Sequence, residues 1–573
     1  MGGDTKAAPM EERIEIAPAL DEVIHSPHHW HTLGHVRLRD AETNKIILLP
    51  PPSLDPNDPL RWRVSLFPSL AKSRKSLLTD NDSRSKAYKI WIAILVSTAM
   101  VMCNFMAAGP TIAMVSVAKS YFPDESPDVS IPKVAYFFNN SALAQGVGNI
   151  IWVPITIKYG RRPVYIFAFV VYFFMIIGSG AATTYAGEIV TRLFLGLAGG
   201  AGECLAPLTI TDIFFLHERG LYMAIYNAAL STGVAFGSVI SGLITINHGW
   251  RVIYWVGAAL VGSTLLCVVF FFPETAYERL NHNLTADPAA LHTEKAPIGG
   301  GSHSEDHEAG ITNIPRKMSY LKTLRLWDGR RYTDESLWKM IIRPIGLIIL
   351  PPVFWATIVM SVTIGFLVAI SSNIASAMQS AYGFKAYQAG LCYIAAILGS
   401  LLGILLGGPF SDWVADYFTR RNGGIREPEM RLPAIMLAVV ASPLALLLYG
   451  FGIQNQMHWV VPTMGLFFIS FAVTQGTNVS FTYCIDSYRP IAGEVTVTQL
   501  AFKSCFGFLL SFYTNVWVEE GYGLAYGEMA AISGGCLLLW IPLFIWGRSI
   551  RRSSLKWRVV SFISWADDRE VGE

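Results

Sequence analysis

From Tyr88 onward the chain is a succession of apolar runs, each roughly 20 residues long and so able to cross a hydrocarbon core about 30 Å thick as a helix. Twelve such runs can be placed, at 90–117, 134–157, 163–183, 187–211, 221–246, 251–272, 345–377, 387–411, 431–452, 459–484, 490–517 and 525–547. Lipid offers the backbone no hydrogen-bond partners, so a chain of this kind folds as helices or as a closed barrel. Runs of this length select helices. The expected fold is an all-α membrane protein with twelve transmembrane helices. Composition agrees: 15% of residues are charged, where a soluble domain carries about 25%.

Six runs precede and six follow a polar stretch, which suggests a duplicated unit and two six-helix pseudo-symmetric halves. The expected organisation is an irregular tail over 1–87, a first half over 88–272, a linker over 273–342, a second half over 343–549 and a tail over 550–573. The linker contains Gly299-Gly300-Gly301, a flexible composition. Its end, Tyr320 to Arg343, alternates apolar with basic residues and reads as a helix lying on the membrane surface.

Loop charges predict the orientation, because Lys and Arg are retained on the cytoplasmic side. Lys158, Arg161, Arg162, Arg219, Arg420, Arg421, Arg426, Arg489 and the basic residues from Arg548 to Arg558 all lie on connections of one side. Both termini are therefore expected in the cytoplasm. No cleavable signal precedes Tyr88, so the first span serves as the targeting signal. The sequon Asn139-Asn140-Ser141 falls on the outer side close to the bilayer, and Asn283-Leu284-Thr285 on the inner side. Seven cysteines all lie inside apolar runs, which suits packing residues rather than a disulfide framework or a metal cluster. His25, His28, His29, His31 and His35 form a cluster in the tail, read as solvated chain rather than as a metal site.

Charges inside the spans carry the functional signal, since a charged side chain at the bilayer centre costs about 2.5–3.5 kcal/mol even on lenient scales. Glu203 is such a residue. In the fourth run, helical spacing puts Glu188, Arg192, Gly196, Gly199 and Glu203 on one face, with glycines leaving a groove between the charges. A carboxylic acid away from water exchanges its proton nearer neutral pH than one in water. Glu203 thus suits proton loading and, when ionised, an organic cation. Arg192 stays charged and needs a partner: either Glu188 pairs with it structurally or it takes part in proton coupling. Lys503, deep in the eleventh run, either contacts an anionic substrate group or pairs with Glu494 or Glu203. Gln475, Asn478 and Thr482 follow i, i+3, i+7 spacing and share one face. Tyr226, Trp355 and Tyr393 are aromatic candidates for stacking on a flat or cationic ligand.

The twelve-run pattern, Arg192 with Gly196 and Gly199, and Gly160-Arg161-Arg162 between the second and third runs together resemble the major facilitator superfamily. Asp212, His217-Glu218-Arg219-Gly220, Gly249-Trp250-Arg251 and Phe272-Pro273-Glu274-Thr275-Ala276-Tyr277 are similar to the fungal drug:proton antiporter branch. The tail segment Asp55-Pro56-Asn57-Asp58-Pro59-Leu60 resembles the group related to histidinol and polyamine transporters. The resemblance implies a transporter whose first, fourth, seventh and tenth helices line a central cavity. It places Asn104, Arg192, Glu203, Ser372, Asn373, Gln379, Gln475, Asn478 and Thr482 there; with Lys503, the expected substrate contacts are Asn104, Glu203, Asn373, Gln475, Asn478 and Lys503. It implies gating by Gly160, Arg161, Arg162, Asp212, Arg219 and Asp412. Two positions depart from the family pattern. Ile157 stands where the loop motif has an aspartate, which its second-half counterpart Gly408-Pro409-Phe410-Ser411-Asp412 keeps; Ser238 stands where the fifth helix of an antiporter has proline.

The expected function is alternating-access transport of a small organic molecule across the plasma membrane, as proton-coupled efflux of drugs or secondary metabolites. Uptake of an organic cation such as a polyamine, or a nutrient sensor built on a transporter scaffold, are the other readings. No nucleophile–base pair, metal-ligand set or phosphate loop points to an enzyme. The expected partners are a small-molecule substrate, protons and the lipid bilayer, with no nucleic acid and no cofactor, for a monomer.

Overall fold

The computed structural model describes residues 36–37, 57–61, 83–216, 218–277, 320–327, 329–554 and 556–557. The histidine cluster His25 to His35, the Asn283 sequon, the Gly299–Gly301 run and His217 lie outside the described residues. Twelve long helices carry the fold: α1 Ser83–Ala108, α2 Pro127–Tyr159, α3 Arg161–Ala181, α4 Tyr185–Ile213, α5 Arg219–Ile244, α6 Arg251–Phe271, α7 Pro351–Tyr382, α8 Ala386–Gly407, α9 Met436–Gln454, α10 Val460–Ser487, α11 Ala492–Glu519 and α12 Tyr522–Leu538. Eleven of the long helical stretches are apolar enough to cross a membrane. The exception is α2, 33 residues long but interrupted by Asn139, Asn140, Ser141, Gln145 and Asn149. Ser141 is buried within that helix, so the sequon at Asn139 sits in helical backbone.

The packing repeats between the halves. In the first, α2 lies on α4, α1 on α5 and α3 on α6; in the second, α8 lies on α10, α7 on α11 and α9 on α12. The halves meet through α2 with α11 and through α8 with α5, contacts that exchange under the same six-helix shift. This is the pseudo-symmetry expected from the duplicated run pattern. Close approach needs small residues where helices cross, because between helices in lipid the gain is van der Waals contact rather than water release. At the α1–α5 crossing a Cβ on Gly237 would stand 2.9 Å from the Gly109 Cα. Ser238, in the position of the family's proline, bonds back to the Val234 carbonyl at 3.1 Å and leaves α5 continuous.

Prolines lie inside α2, α4 and α9 and just past α1, and two of them, Pro110 and Pro207, bear on the site. Past Ala108, α1 tightens into a 3-10 turn over Gly109–Ala113 and resumes as Met114–Tyr121. Pro110 has no N–H to give the Met106 carbonyl four residues earlier, so that carbonyl needs another donor. Pro207 does the same to the carbonyl of Glu203 in α4.

On the face that carries Lys158, Arg161 and Arg162, hereafter the basic face, peripheral segments join the bundle. A strand β1, Val36–Arg37, pairs antiparallel with β2, Ile425–Arg426, in the connection after α8. Leu60 in the turn Pro59–Arg61 is buried; its N–H donates to Asp58 at 3.0 Å, and its carbonyl accepts from Lys89 of α1 at 2.8 Å. The tail thus touches both halves. A surface helix, Leu337–Leu347, packs on α2 and α11 just before α7.

Replacing Gly237 with valine forces the α1–α5 crossing apart, an overpacking cost of about 1–3 kcal/mol. We expect a lowered melting temperature for the purified Gly237→Val protein, while Gly249→Ala, with nothing within 4 Å of an added Cβ, melts as wild type. Equal melting of the two variants would show that the crossing tolerates a side chain.

Candidate functional site

The glycines of α4 are not an open groove. Gly196 and Gly200 admit the backbone of α2, while Gly199 faces the Tyr172 ring of α3 and Gly202 the Cys103 thiol of α1: a Cβ on Gly200 would lie 2.7 Å from the Gln145 carbonyl oxygen and 3.0 Å from the Asn149 nitrogen. That approach sets two amides of α2 against the acid of α4. Gln145 Nε2 donates to Glu203 Oε2 at 3.1 Å, and Asn149 Nδ2 donates to the same oxygen at 3.0 Å. From α11, Lys503 Nζ forms an ion pair with Glu203 Oε1. Gly146 makes room for this helix too, since a Cβ there would meet the Ser504 side chain at 2.7 Å. Glu203 is wholly buried and Lys503 nearly so.

The backbone beneath this pair is satisfied by a side chain. The Glu203 carbonyl, which Pro207 leaves without its helical donor, accepts from the Tyr226 hydroxyl of α5 at 3.1 Å. Three helices of the first half and one of the second therefore converge on a single residue. In a low-dielectric interior such an ion pair is held by the cost of leaving either charge alone.

Arg192, three turns along α4, belongs to a separate cluster. Its guanidinium donates to the Met106 carbonyl at 2.8 Å, taking the acceptor that Pro110 leaves open. It also lies 3.4 Å from Glu188 Oε1 and donates to the Tyr254 hydroxyl at 2.5 and 3.1 Å, while that hydroxyl donates to Glu188 at 2.8 Å. The ring of Phe138 covers the guanidinium at 4.7 Å. Helical periodicity places Arg192 and Glu203 on one face, yet each has its own partners, and Arg192 is fully buried among them.

The remaining cavity candidates disperse. Asn104 Nδ2 bonds back to the Met100 carbonyl at 3.0 Å. Asn478 donates to the Gly407 carbonyl at 2.6 Å and meets Asn227 of α5 at 3.4 Å. Gln475 turns to the Ala434 carbonyl at 2.5 Å, and Thr482 lies 3.5 Å from Asn478. Ser372 bonds back to Ala369, and Gln379 is exposed. Asn373 is buried beside Tyr526 of α12. Trp355 donates to the Cys536 carbonyl at 3.1 Å, and Tyr393 is buried in α8. Hydrogen bonds thus join Asn478 to α5 and α8, and Gln475 to the turn before α9, while neither amide bonds to Glu203 among the described residues.

At the basic face the expected gating residues form two kinds of contact. Arg161 Nε pairs with Asp212 Oδ2 at 3.0 Å, and Thr275 donates to that same oxygen at 3.2 Å. Glu274 accepts from the backbone N–H of Arg161 at 2.8 Å and of Arg162 at 3.1 Å, capping the start of α3. Burial pushes the Glu274 carboxyl above its usual range, while the N–H groups of Ala276 and Arg161 draw it back. Gly160 is required here: its φ is +101°, and a Cβ would meet Glu274 at 2.5 Å. Arg162 reaches the carbonyls of Phe272 and Val269, and Arg219 reaches those of Phe214 and Thr211. All these bonds stay within the first half and the start of the segment that follows it, Glu274 and Thr275. Asp412 crosses between halves: its carboxylate lies against Gly220 in the first turn of α5, with Arg431 at 2.7 Å and Arg426 at 3.7 Å. The pseudo-equivalent crossing is apolar, with Ile157, Leu208 and Val153 against Gly493 in the first turn of α11.

A family model described as Major Facilitator Superfamily matches residues 91–498. The chain belongs to the major facilitator superfamily. An MFS-type transporter of Schizosaccharomyces pombe, described as uncharacterised, is 24% identical over 548 residues, 89% of each chain. The efflux pump FUBT of Fusarium oxysporum is 25% identical over 477 residues, covering 82% of this chain and 75% of its own. Among solved structures, the proton:xylose symporter XylE superposes with a TM-score of 0.55 at 13% identity over 79% of this chain and 95% of that one. The human organic anion transporter MFSD10 gives 0.52 at 14% identity over 79% and 99%. At such identities the likeness concerns the fold, and it supplies the twelve-helix frame in which α2 is a span despite its polarity.

Sequence reasoning on this major facilitator passed over Gln145 and Asn149. Their signal was present: two amides four residues apart in an otherwise apolar run share one face and need a polar partner. Tyr254 and Phe138 around Arg192 carried no comparable mark.

Removing one partner of the Glu203–Lys503 pair strands a buried charge at a cost of about 3–5 kcal/mol, whereas replacing both can be close to neutral. We expect Glu203→Gln or Lys503→Met to lower detergent stability strongly and the double variant to recover most of it. A double-mutant cycle with no coupling would mean that the two groups do not interact in the folded protein.

Proposed function

We propose that this major facilitator is a proton-coupled exporter of small organic molecules, with Glu203 as its proton carrier and the Glu203–Lys503 pair as the bond that transport must break. The supporting observation is that the pair joins α4 of one half to α11 of the other. Rocking the halves apart at this level separates the two charges. A proton on Glu203 removes the attraction, and the Gln145 and Asn149 amides remain to hold the neutral acid. An organic cation can take the place of Lys503 at the carboxylate; an anionic substrate group can take the place of Glu203 at the ammonium. Either exchange makes substrate and proton compete for one pair.

Export is favoured by relatives such as FUBT that are named efflux pumps. By the Lys and Arg distribution we read the basic face as cytoplasmic, both termini as lying on that side, and the plasma membrane as the site of action. In this reading Arg192 stabilises the broken outer part of α1, and its pair with Glu188 is a positioning device for proton movement along α4. Asn104, Asn373, Gln475 and Asn478 become substrate contacts only when the halves move. The gate is Asp412 against α5 together with Ile157 against α11, and the Arg161–Asp212 knot with Gly160, Arg162 and Arg219 makes the first half rigid enough to move as one body.

The test is flux in proteoliposomes under an imposed pH gradient, with a panel of organic cations and organic anions. We expect gradient-driven export by wild type, and in Glu203→Gln a flux that no longer follows the gradient. Unchanged gradient dependence in that variant would remove Glu203 from proton coupling.

A further inference from the structure

The surface helix Leu337–Leu347 has one face accounted for and one that is not. Toward the bundle it presents Met340, Arg343 and Leu347, all buried. Arg343 is the anchor: its guanidinium donates to Glu494 in the first turn of α11 at 2.7 Å and to both oxygens of Glu335 at 3.1 Å. On the opposite side Trp338, Ile342 and Ile345, at i, i+4 and i+7, are 73%, 56% and 55% exposed. Just upstream, Leu326 and Trp327 are 58% and 59% exposed.

Five cations lie among these apolar groups: Lys322, Arg325, Arg330, Arg331 and Lys339 are all exposed and form no ion pair with another described residue. Against them the described residues of this stretch offer the exposed acid Asp334, since Glu335 is engaged by Arg343. The helix ends at Leu347, four residues before Pro351, where α7 enters the bilayer. An apolar row that close to a span and facing away from the protein lies at the level of the lipid interface, where tryptophan is enriched. Unpaired cations beside such a row meet phosphate and carboxylate headgroups.

We infer that residues 322–327 and 329–345 form a binding site for anionic phospholipid headgroups of the leaflet at the basic face. The apolar row enters the acyl boundary, and the five cations hold the headgroups. Arg343 ties the segment to the start of α11, the helix that carries Lys503.

The test uses the full chain in phosphatidylcholine vesicles, with spin-labelled phosphatidylserine and spin-labelled phosphatidylcholine as probes of protein-bound lipid. We expect wild type to retain phosphatidylserine over phosphatidylcholine by about tenfold at low salt, with the preference falling as salt rises. Lys322→Gln, Arg325→Gln, Arg330→Gln, Arg331→Gln and Lys339→Gln combined should bind both lipids equally. The salt dependence of wild type tests the site even if that variant does not fold. Equal retention of both lipids by wild type, a preference undiminished in the fivefold variant, or full displacement of phosphatidylserine by an equal concentration of inorganic phosphate would each overturn the proposal.

Discussion

Lipid leaves no charge or peptide group to water, and the interior of this protein is arranged around that constraint. Glu203 stays in the bundle because Lys503 matches its charge and two amides occupy its second oxygen. The need extends to the backbone. Each of two prolines strips a carbonyl of its helical donor, and a side chain from another element replaces it: Arg192 at Met106 and Tyr226 at Glu203. These replacements bind α4 to α1 and to α5, so the helix bearing the acid is held by the defects around it.

Small residues make the polar matches possible. Without Gly196, Gly200 and Gly146, α2 would stand away from α4 and α11, and neither Gln145 nor Asn149 would reach Glu203. The lowered hydropathy of α2 and the buried acid of α4 are therefore two sides of one arrangement. A helix that loses its apolar character gains the ability to host its neighbour's charge.

The frame of the protein was legible in the sequence because the length of an apolar run is a direct image of membrane thickness. Glu203 was legible for a related reason, since a charge placed in such a run is conspicuous by its cost. Its partners were harder to find: Gln145 lies 58 residues away and Lys503 lies 300, and periodicity orders residues only along one helix. The shared face of Glu203 and Arg192 was real, but a face long enough to hold both is also long enough to serve two clusters. Asn104 and Gln475 bond to backbone carbonyls, a choice that depends on local packing. Pro110 and Pro207 could have been read further, because the proline rule names the carbonyl four residues earlier in each case.

Two crossings at the basic face occupy equivalent places, yet one rests a carboxylate on a helix start and the other rests isoleucine, leucine and valine there. Their thermodynamics differ accordingly. The carboxylate contact, partly open to water, is weakened by salt, whereas the aliphatic contact is insensitive to screening and loses strength on cooling. The two contacts thus answer to different variables, ionic strength for one and temperature for the other. A chain with aspartate at both places would have responded to a single one.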